Sequence, residues 1–215
     1  MIDRKNGPHQ GLPIRTAGAP LDQAHAAMIM LHGRGATAES ILDLAGEFRR
    51  TDFAYLAPQA AGFTWYPNRF LAPLESNEPY LSSALTVVAG LMQHLAAAGI
   101  SAERSVLLGF SQGACLALEF AARHARRYGG LVGLSGGLIG PDSTPRDYVG
   151  SLAGTPVFLG CSDVDFHIPK ARVEHTAQTL SRLGGAVTLR LYPNMEHTVN
   201  RDEIKIVREM MNTIV

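Results

Sequence analysis

A serine with a glycine two residues away on either side is the pattern of a nucleophile held on a sharp turn, and the chain carries it twice. The first, Gly109-Phe110-Ser111-Gln112-Gly113, follows the apolar run Ser105–Phe110 (SVLLGF) and opens the helical stretch QGACLALEFAARH. So tight a strand-to-helix turn forces its serine into an unfavourable backbone conformation. It also leaves room only for small residues on either side, which is why glycine suits both places. The second, Gly133-Leu134-Ser135-Gly136-Gly137, follows a strand but runs on into LIGPDSTPRD, where no helix begins. Ser111 is the candidate nucleophile. Ser135 reads as a loop serine at the same end of the sheet.

A serine hydroxyl needs a base before it can attack a carbonyl. Of eight histidines, His94, His124 and His175 fall inside helical patterns, and His9 and His25 precede the main strands. His32 sits in a strand-end turn and His167 follows an acidic loop. His197, in Tyr192-Pro193-Asn194-Met195-Glu196-His197, stands after the last strand and before the last helix. In a fold whose order is serine, acid, histidine, the base belongs there. The acid must come between them, and Ser162-Asp163-Val164-Asp165 offers two aspartates after a strand. Spacing does not choose between Asp163 and Asp165. Glu196 is a weaker candidate because adjacent side chains on a turn rarely face each other, and Asp142 is more distant. An oxyanion would need two backbone N–H donors. One is the residue after the nucleophile, Gln112, at a helix N-terminus whose dipole favours negative charge. The other belongs to the turn Leu31-His32-Gly33-Arg34-Gly35. That turn lacks the glycine spacing of a phosphate cradle.

These residues must be carried by regular elements. Six short apolar runs, Ala26–Leu31, Phe53–Ala57, Ser105–Phe110, Leu131–Leu134, Pro156–Cys161 and Val187–Tyr192, read as strands, and most are continuous rather than alternating, which suits strands buried on both faces of a parallel sheet. Between them, Leu81, Leu85, Val88, Met92 and Leu95 form one helical stripe ending near Gly99. Further helices are predicted just after Ser111, over about 170–183 and over about 202–213. Strand and helix in alternation mean a three-layer α/β domain with a mostly parallel central sheet. Two stretches resist periodicity: 62–80, rich in proline and aromatics, and 136–155, rich in glycine and proline.

With 215 residues and no linker or repeat, the expectation is one domain over residues 1–215. Lys plus Arg and Asp plus Glu both total 19, which argues against a nucleic-acid partner. Cys115 and Cys161 lack the spacing of a zinc site or a disulfide framework and read as buried hydrophobes. The opening MIDRKNGPHQG has no signal-peptide core, and no stretch has the roughly 18 consecutive apolar residues of a membrane span. A soluble cytoplasmic protein is expected.

Taken in order, LHGRG, GFSQGA, the SGG after the next strand and YPNMEH make the chain, from about Met28 onward, resemble the phospholipase/carboxylesterase family of α/β hydrolases, which includes acyl-protein thioesterases. The family's acid segment reads Asp-Pro-x-Val-Pro. Asp165-Phe166-His167-Ile168-Pro169 matches it in register with phenylalanine for the first proline, so the resemblance selects Asp165 and keeps Asp163 in reserve. It also puts the second oxyanion donor at the backbone of Arg34, a position that is often leucine in thioesterase members. It implies an α/β-hydrolase fold, no cofactor, no metal, and an acyl or alcohol pocket shaped around Trp65, Tyr66 and Phe70, near Phe63 and Leu71. An aromatic flap or a subunit contact is the competing reading of that segment, and a homodimer is a mild expectation. The implied activity is that of a serine carboxylesterase acting on a small-molecule ester or acyl substrate through Ser111, His197 and Asp165. Its activity should rise with pH as the histidine loses its proton. Acyl-protein thioesterase or lysophospholipase work is the alternative. A dienelactone-hydrolase-like enzyme is disfavoured by serine at the elbow, and a non-catalytic ligand-binding protein on this fold is the rival from another class.

Overall fold

Every residue of the run Ala26–Leu31 is fully buried. Its odd and even members point opposite ways: Ala27, Ile29 and Leu31 join one apolar cluster, Ala26, Met28 and Met30 another. A strand meets both demands only inside a sheet covered on two faces. The computed structural model describes residues 7–214; the first six residues and Val215 lie outside it, and with them part of the N-terminal reading above.

In chain order the strands are β1 (Ile14–Gly18), β2 (Ala26–Leu31), β3 (Phe53–Pro58), β4 (Ser105–Phe110), β5 (Gly130–Leu134), β6 (Pro156–Ser162) and β7 (Ala186–Tyr192). The helices are α1 (Ala38–Phe48), α2 (Tyr80–Ala97), α3 (Gln112–Arg123), α4 (Lys170–Arg182) and α5 (Arg201–Met211). The sheet runs β1-β3-β2-β4-β5-β6-β7, parallel except for β1, which pairs antiparallel with β3 in the register Ile14 to Pro58. Apolar residues of α2, α3 and α4 pack on one face, and those of α1 and α5 on the other. The chain reverses its direction of build between β2 and β4, and the loops beyond the carboxyl ends there form the crevice where ligands bind in such sheets. This is the α/β-hydrolase architecture expected from the sequence.

Two elements escaped the pattern reading. β1 (IRTAG) has no apolar run, because it is an exposed edge whose partner covers one side only. α1 carries a buried stripe at helical spacing, Ala38, Ile41, Ala45 and Phe48, and its ends are fixed as well. Thr37 caps it by accepting from Ser40 N–H while the Ser40 hydroxyl reaches back, and Arg49 closes it in a left-handed conformation (φ 54°). By length and composition α2 could cross a bilayer, yet Leu81, Ala84, Leu85, Val88, Leu91 and Leu95 belong to the buried core, the pattern of an interior helix.

The 136–155 stretch is irregular but tied down. The buried Glu119 of α3 accepts from Ile139 N–H at 3.0 Å and from the Tyr148 hydroxyl at 3.1 Å. The buried Arg172 of α4 donates to the carbonyls of Leu138 and Gly140 at 2.7 and 2.6 Å. Charged groups buried in this way are held by satisfying backbone that has no sheet partner.

At the start of α5, Asn200 caps the helix by accepting from the N–H groups of Asp202 and Glu203, and Glu203 Oε2 accepts from Asn200 N–H at 2.8 Å. The other oxygen of the fully buried Glu203 has no partner and lies where a Cβ on Gly160 would have to sit. Burial pushes this carboxyl up to about 7, against the weaker pull of the Asn200 bond. It therefore binds more protons folded than unfolded, and stability falls as pH rises from about 4.5 through 7 before levelling off. Glu203→Gln keeps the cap and carries no charge. Calorimetry should find it close to wild type near pH 4.5 and more stable at pH 8, by at most about 3 kcal/mol. A pH-independent difference would contradict a buried, unpaired carboxylate.

Candidate active site

The turn after β4 is shaped by backbone contact. A Cβ at Gly109 would stand 2.2 Å from the backbone of Gly113, and one at Gly113 would stand 2.1 Å from the carbonyl oxygen of Leu31 at the end of β2. Only glycine permits α3 to start this close to the sheet. Between the two, Ser111 takes φ 53°, ψ −117°, a conformation that costs a non-glycine residue roughly 1–3 kcal/mol. The strain is held by Ser111 N–H donating to the Leu134 carbonyl at 2.9 Å and by Cys115 N–H donating back to Ser111 O at 3.0 Å.

The structure brings Ser111, His197 and Asp165 into one line. Ser111 Oγ lies 2.8 Å from His197 Nε2, and His197 Nδ1 lies 2.6 Å from Asp165 Oδ2. The Asp165 side chain is fully enclosed, and its Oδ1 accepts from the N–H groups of His167 and Ile168 at 2.8 and 3.0 Å. Burial alone would raise this carboxyl. The bonds from His197 and the two backbone N–H groups outweigh burial and hold it below its usual range, so it stays ionised. Behind it, the thiol of Cys161, pushed up to about 12 by burial, points at Asp165 Oδ2 from 3.8 Å as a neutral S–H. Asp163 instead accepts from Asn194 N–H, and Asp142 pairs with Arg172. Ser135 is buried at φ 51°, its N–H on the Gly160 carbonyl, and does not reach the cavity at Ser111.

A cavity of about 530 Å³ opens at Ser111, walled by Tyr66, Phe70, Phe110, Cys115 and Ile168, with Arg34, Arg69 and Gln112 around it. Of the aromatic residues expected at a substrate pocket, Tyr66 and Phe70 line this cavity. Trp65 does not. Its indole is fully buried, donates from Nε1 to the His32 carbonyl at 2.9 Å, and lies against the rings of His9 and His32 with centroids 5.5 and 5.0 Å away. An aromatic residue in an aperiodic segment did not reveal whether it faced a cavity or the core behind one.

The side chains of Arg34 and Gln112 were read only for their backbone, and they do more. Arg34 donates to the carbonyls of Tyr66, Pro67 and Asn68 at 2.9, 2.8 and 2.6 Å. Gln112 donates from Nε2 to Tyr66 O at 2.8 Å and accepts from Trp65 N–H at 2.8 Å. Both side chains converge on one carbonyl, so the segment over the cavity is locked to the two turns beside Ser111. Among the described residues, neither Arg34 N–H nor Gln112 N–H donates to an internal acceptor, which leaves both free toward the cavity they border. His32 and His9 complete the lock. His32 Nε2 accepts from Ala60 N–H at 3.1 Å, His9 Nδ1 accepts from Ala61 N–H at 3.0 Å, and burial lowers the basicity of both rings. No spacing rule pointed to these bracing histidines; a histidine directly after a buried strand was the only trace.

The sequence compared with known proteins gives a consistent result. The family described as Phospholipase/Carboxylesterase matches residues 15–215. A solved phospholipase/carboxylesterase from Dyadobacter fermentans superposes with a TM-score of 0.91 at 40% identity, covering 94% of this chain and 97% of the other. Lysophospholipase-like protein 1 of Mus musculus is 24% identical over 93% of this chain and 91% of its own length. Acyl-protein thioesterase 1 of Gibberella zeae is 32% identical over 56% of this chain and 52% of its own.

Because the Arg34 fork grips three carbonyls, its loss should loosen the cavity wall for every substrate alike. Arg34→Met is expected to lower kcat by about tenfold, roughly 1.4 kcal/mol, on neutral and anionic esters equally. A loss confined to anionic esters would mean that the guanidinium attracts substrate instead.

Proposed function

The chain belongs to the phospholipase/carboxylesterase family of α/β hydrolases, and from that premise we propose that it is a serine carboxylesterase working through Ser111, His197 and Asp165. The observation that carries the reading is the single imidazole hydrogen-bonded to a strained serine at one nitrogen and to an enclosed carboxylate at the other. Carboxylic ester hydrolysis is the chemistry of the family.

In the first half-reaction, Ser111 Oγ attacks the ester carbonyl while His197 Nε2 takes its proton. The anionic Asp165 stabilises the imidazolium and keeps Nδ1 protonated in the neutral ring. The new oxyanion is held by the N–H groups of Arg34 and Gln112, the latter at the positive end of α3. The tetrahedral species collapses as Nε2 returns the proton to the leaving oxygen or sulfur, giving an acyl-enzyme and the free alcohol or thiol. In the second half-reaction, water gives its proton to Nε2 and attacks the acyl carbon. Collapse then returns a proton to Ser111 and releases the acid. Each free N–H is worth about 3–4 kcal/mol of transition-state stabilisation when removed from such sites.

The acyl part is expected in the cavity behind Tyr66 and Phe70, which are mainly apolar surfaces. Similarity to the mouse Lysophospholipase-like protein 1 and the fungal Acyl-protein thioesterase 1 supports a second reading, acyl-protein thioesterase or lysophospholipase work. Rates on p-nitrophenyl esters from acetate to palmitate separate the two: a short-chain maximum supports the carboxylesterase, and a long-chain maximum the alternative. On the preferred ester, Ser111→Ala and Asp165→Asn should each lose about 10⁴-fold or more in kcat. Turnover retained by Ser111→Ala would overturn the assignment.

A further inference from the structure

A tetrahedral carbon on Ser111 has two arms besides the serine oxygen and the oxyanion, and the large cavity accounts for one. A second cavity of about 400 Å³ opens on the other side of His197. The two share Gly33, Ala36, Phe110 and His197, but only the first reaches Ser111, Gln112, Tyr66 and Phe70. Gly33 sits at the junction: a Cβ there would stand 3.2 Å from the Phe110 ring and 3.4 Å from Ser111 Cβ, so any side chain would crowd the passage.

We propose that this second cavity is the alcohol subsite, and that it selects esters of neutral, largely apolar alcohols. The inference rests on the hydrolase reading above. Proton economy gives the direction. His197 Nε2 must deliver its proton to the leaving oxygen, so the alcohol arm leaves past the imidazole, and His197 forms a wall of this cavity. The chemistry of the walls gives the class. Ile41 and Leu44 of α1, with Phe110 and Val199, form apolar sides, and Ser40 and Thr198 add only hydroxyls. The other ionisable wall, His32, has both nitrogens engaged: Nδ1 with the Gly33 carbonyl at 2.8 Å and Nε2 with Ala60 N–H. Burial disfavours its charged form. Among the described residues no carboxylate or guanidinium lines the cavity, so a phosphate- or choline-bearing alcohol would lose solvation there without compensation.

Acetate esters of methanol, butanol and benzyl alcohol test this directly. All pass through the same acetyl-enzyme, so an alcohol subsite acts on kcat/KM and leaves the deacylation step common. Across that series the wild type should gain about tenfold or more in kcat/KM, and an acetate ester with a phosphorylated alcohol should show no gain. Leu44→Trp, filling the cavity from its partly exposed wall, should lower benzyl acetate by about tenfold and leave methyl acetate within about twofold. Leu44→Ala should shift the preference toward larger alcohols. Neither should alter the profile of a methyl ester series graded in acyl length. If the Leu44 variants change that acyl series instead, or change neither series, the subsite assignment is wrong. Methyl acetate turnover that survives Ser111→Ala would instead strike at the hydrolase reading beneath it.

Discussion

The site depends on one close approach of backbone to backbone: the first turn of α3 lying against the carbonyl end of β2 at Gly113. At 2.1 Å from the Leu31 oxygen to an imagined Cβ, no other residue is accommodated without moving the helix or the strand. The contact couples two elements far apart in sequence. It brings the N-terminus of α3, with Gln112 and the strained Ser111, beside the turn after β2 that carries Gly33 and Arg34. The energy to hold Ser111 at its positive φ comes from the sheet, through the Leu134 carbonyl, and from the helix that Ser111 begins.

Around that contact the structure uses side chains to hold backbone. Arg34 and Gln112 both end on the Tyr66 carbonyl, and His9 and His32 accept from the turn at Ala60 and Ala61. A wall segment with no α-helix or strand of its own finds partners for its backbone groups in the side chains of Arg34, Gln112, His9 and His32. The result is a firm wall over the cavity and two N–H donors kept out of internal bonds. On the far side, the cap at Asn200 starts α5 three residues after His197, which anchors the loop carrying the base.

Much of this was legible in the residues. Buried parallel strands announce themselves as continuous apolar runs, so β2 to β6 were readable within a residue or so. The serine of the elbow and the histidine after β7 followed from position in the strand order. The choice of Asp165 over Asp163 was not in the spacing. It needed the resemblance, and in the fold it turns on which carboxylate receives the His167 and Ile168 N–H groups while facing His197. β1 was silent because an edge strand buries too little in a regular pattern, whereas α1, with Ala38, Ile41, Ala45 and Phe48 on one buried face, was legible in the residues and overlooked. Trp65 was misread because its type signals a large buried surface, and only the neighbours His9 and His32 reveal that the surface is core.

The central claim is that Ser111, and not Ser135, is an activated nucleophile. Labelling the intact protein with a fluorophosphonate, followed by peptide mapping, tests it without any assumption about substrate. The account predicts one phosphonyl group per chain, on Ser111, with a labelling rate that collapses in His197→Ala. A label on Ser135, or none at all on a folded protein, would contradict it.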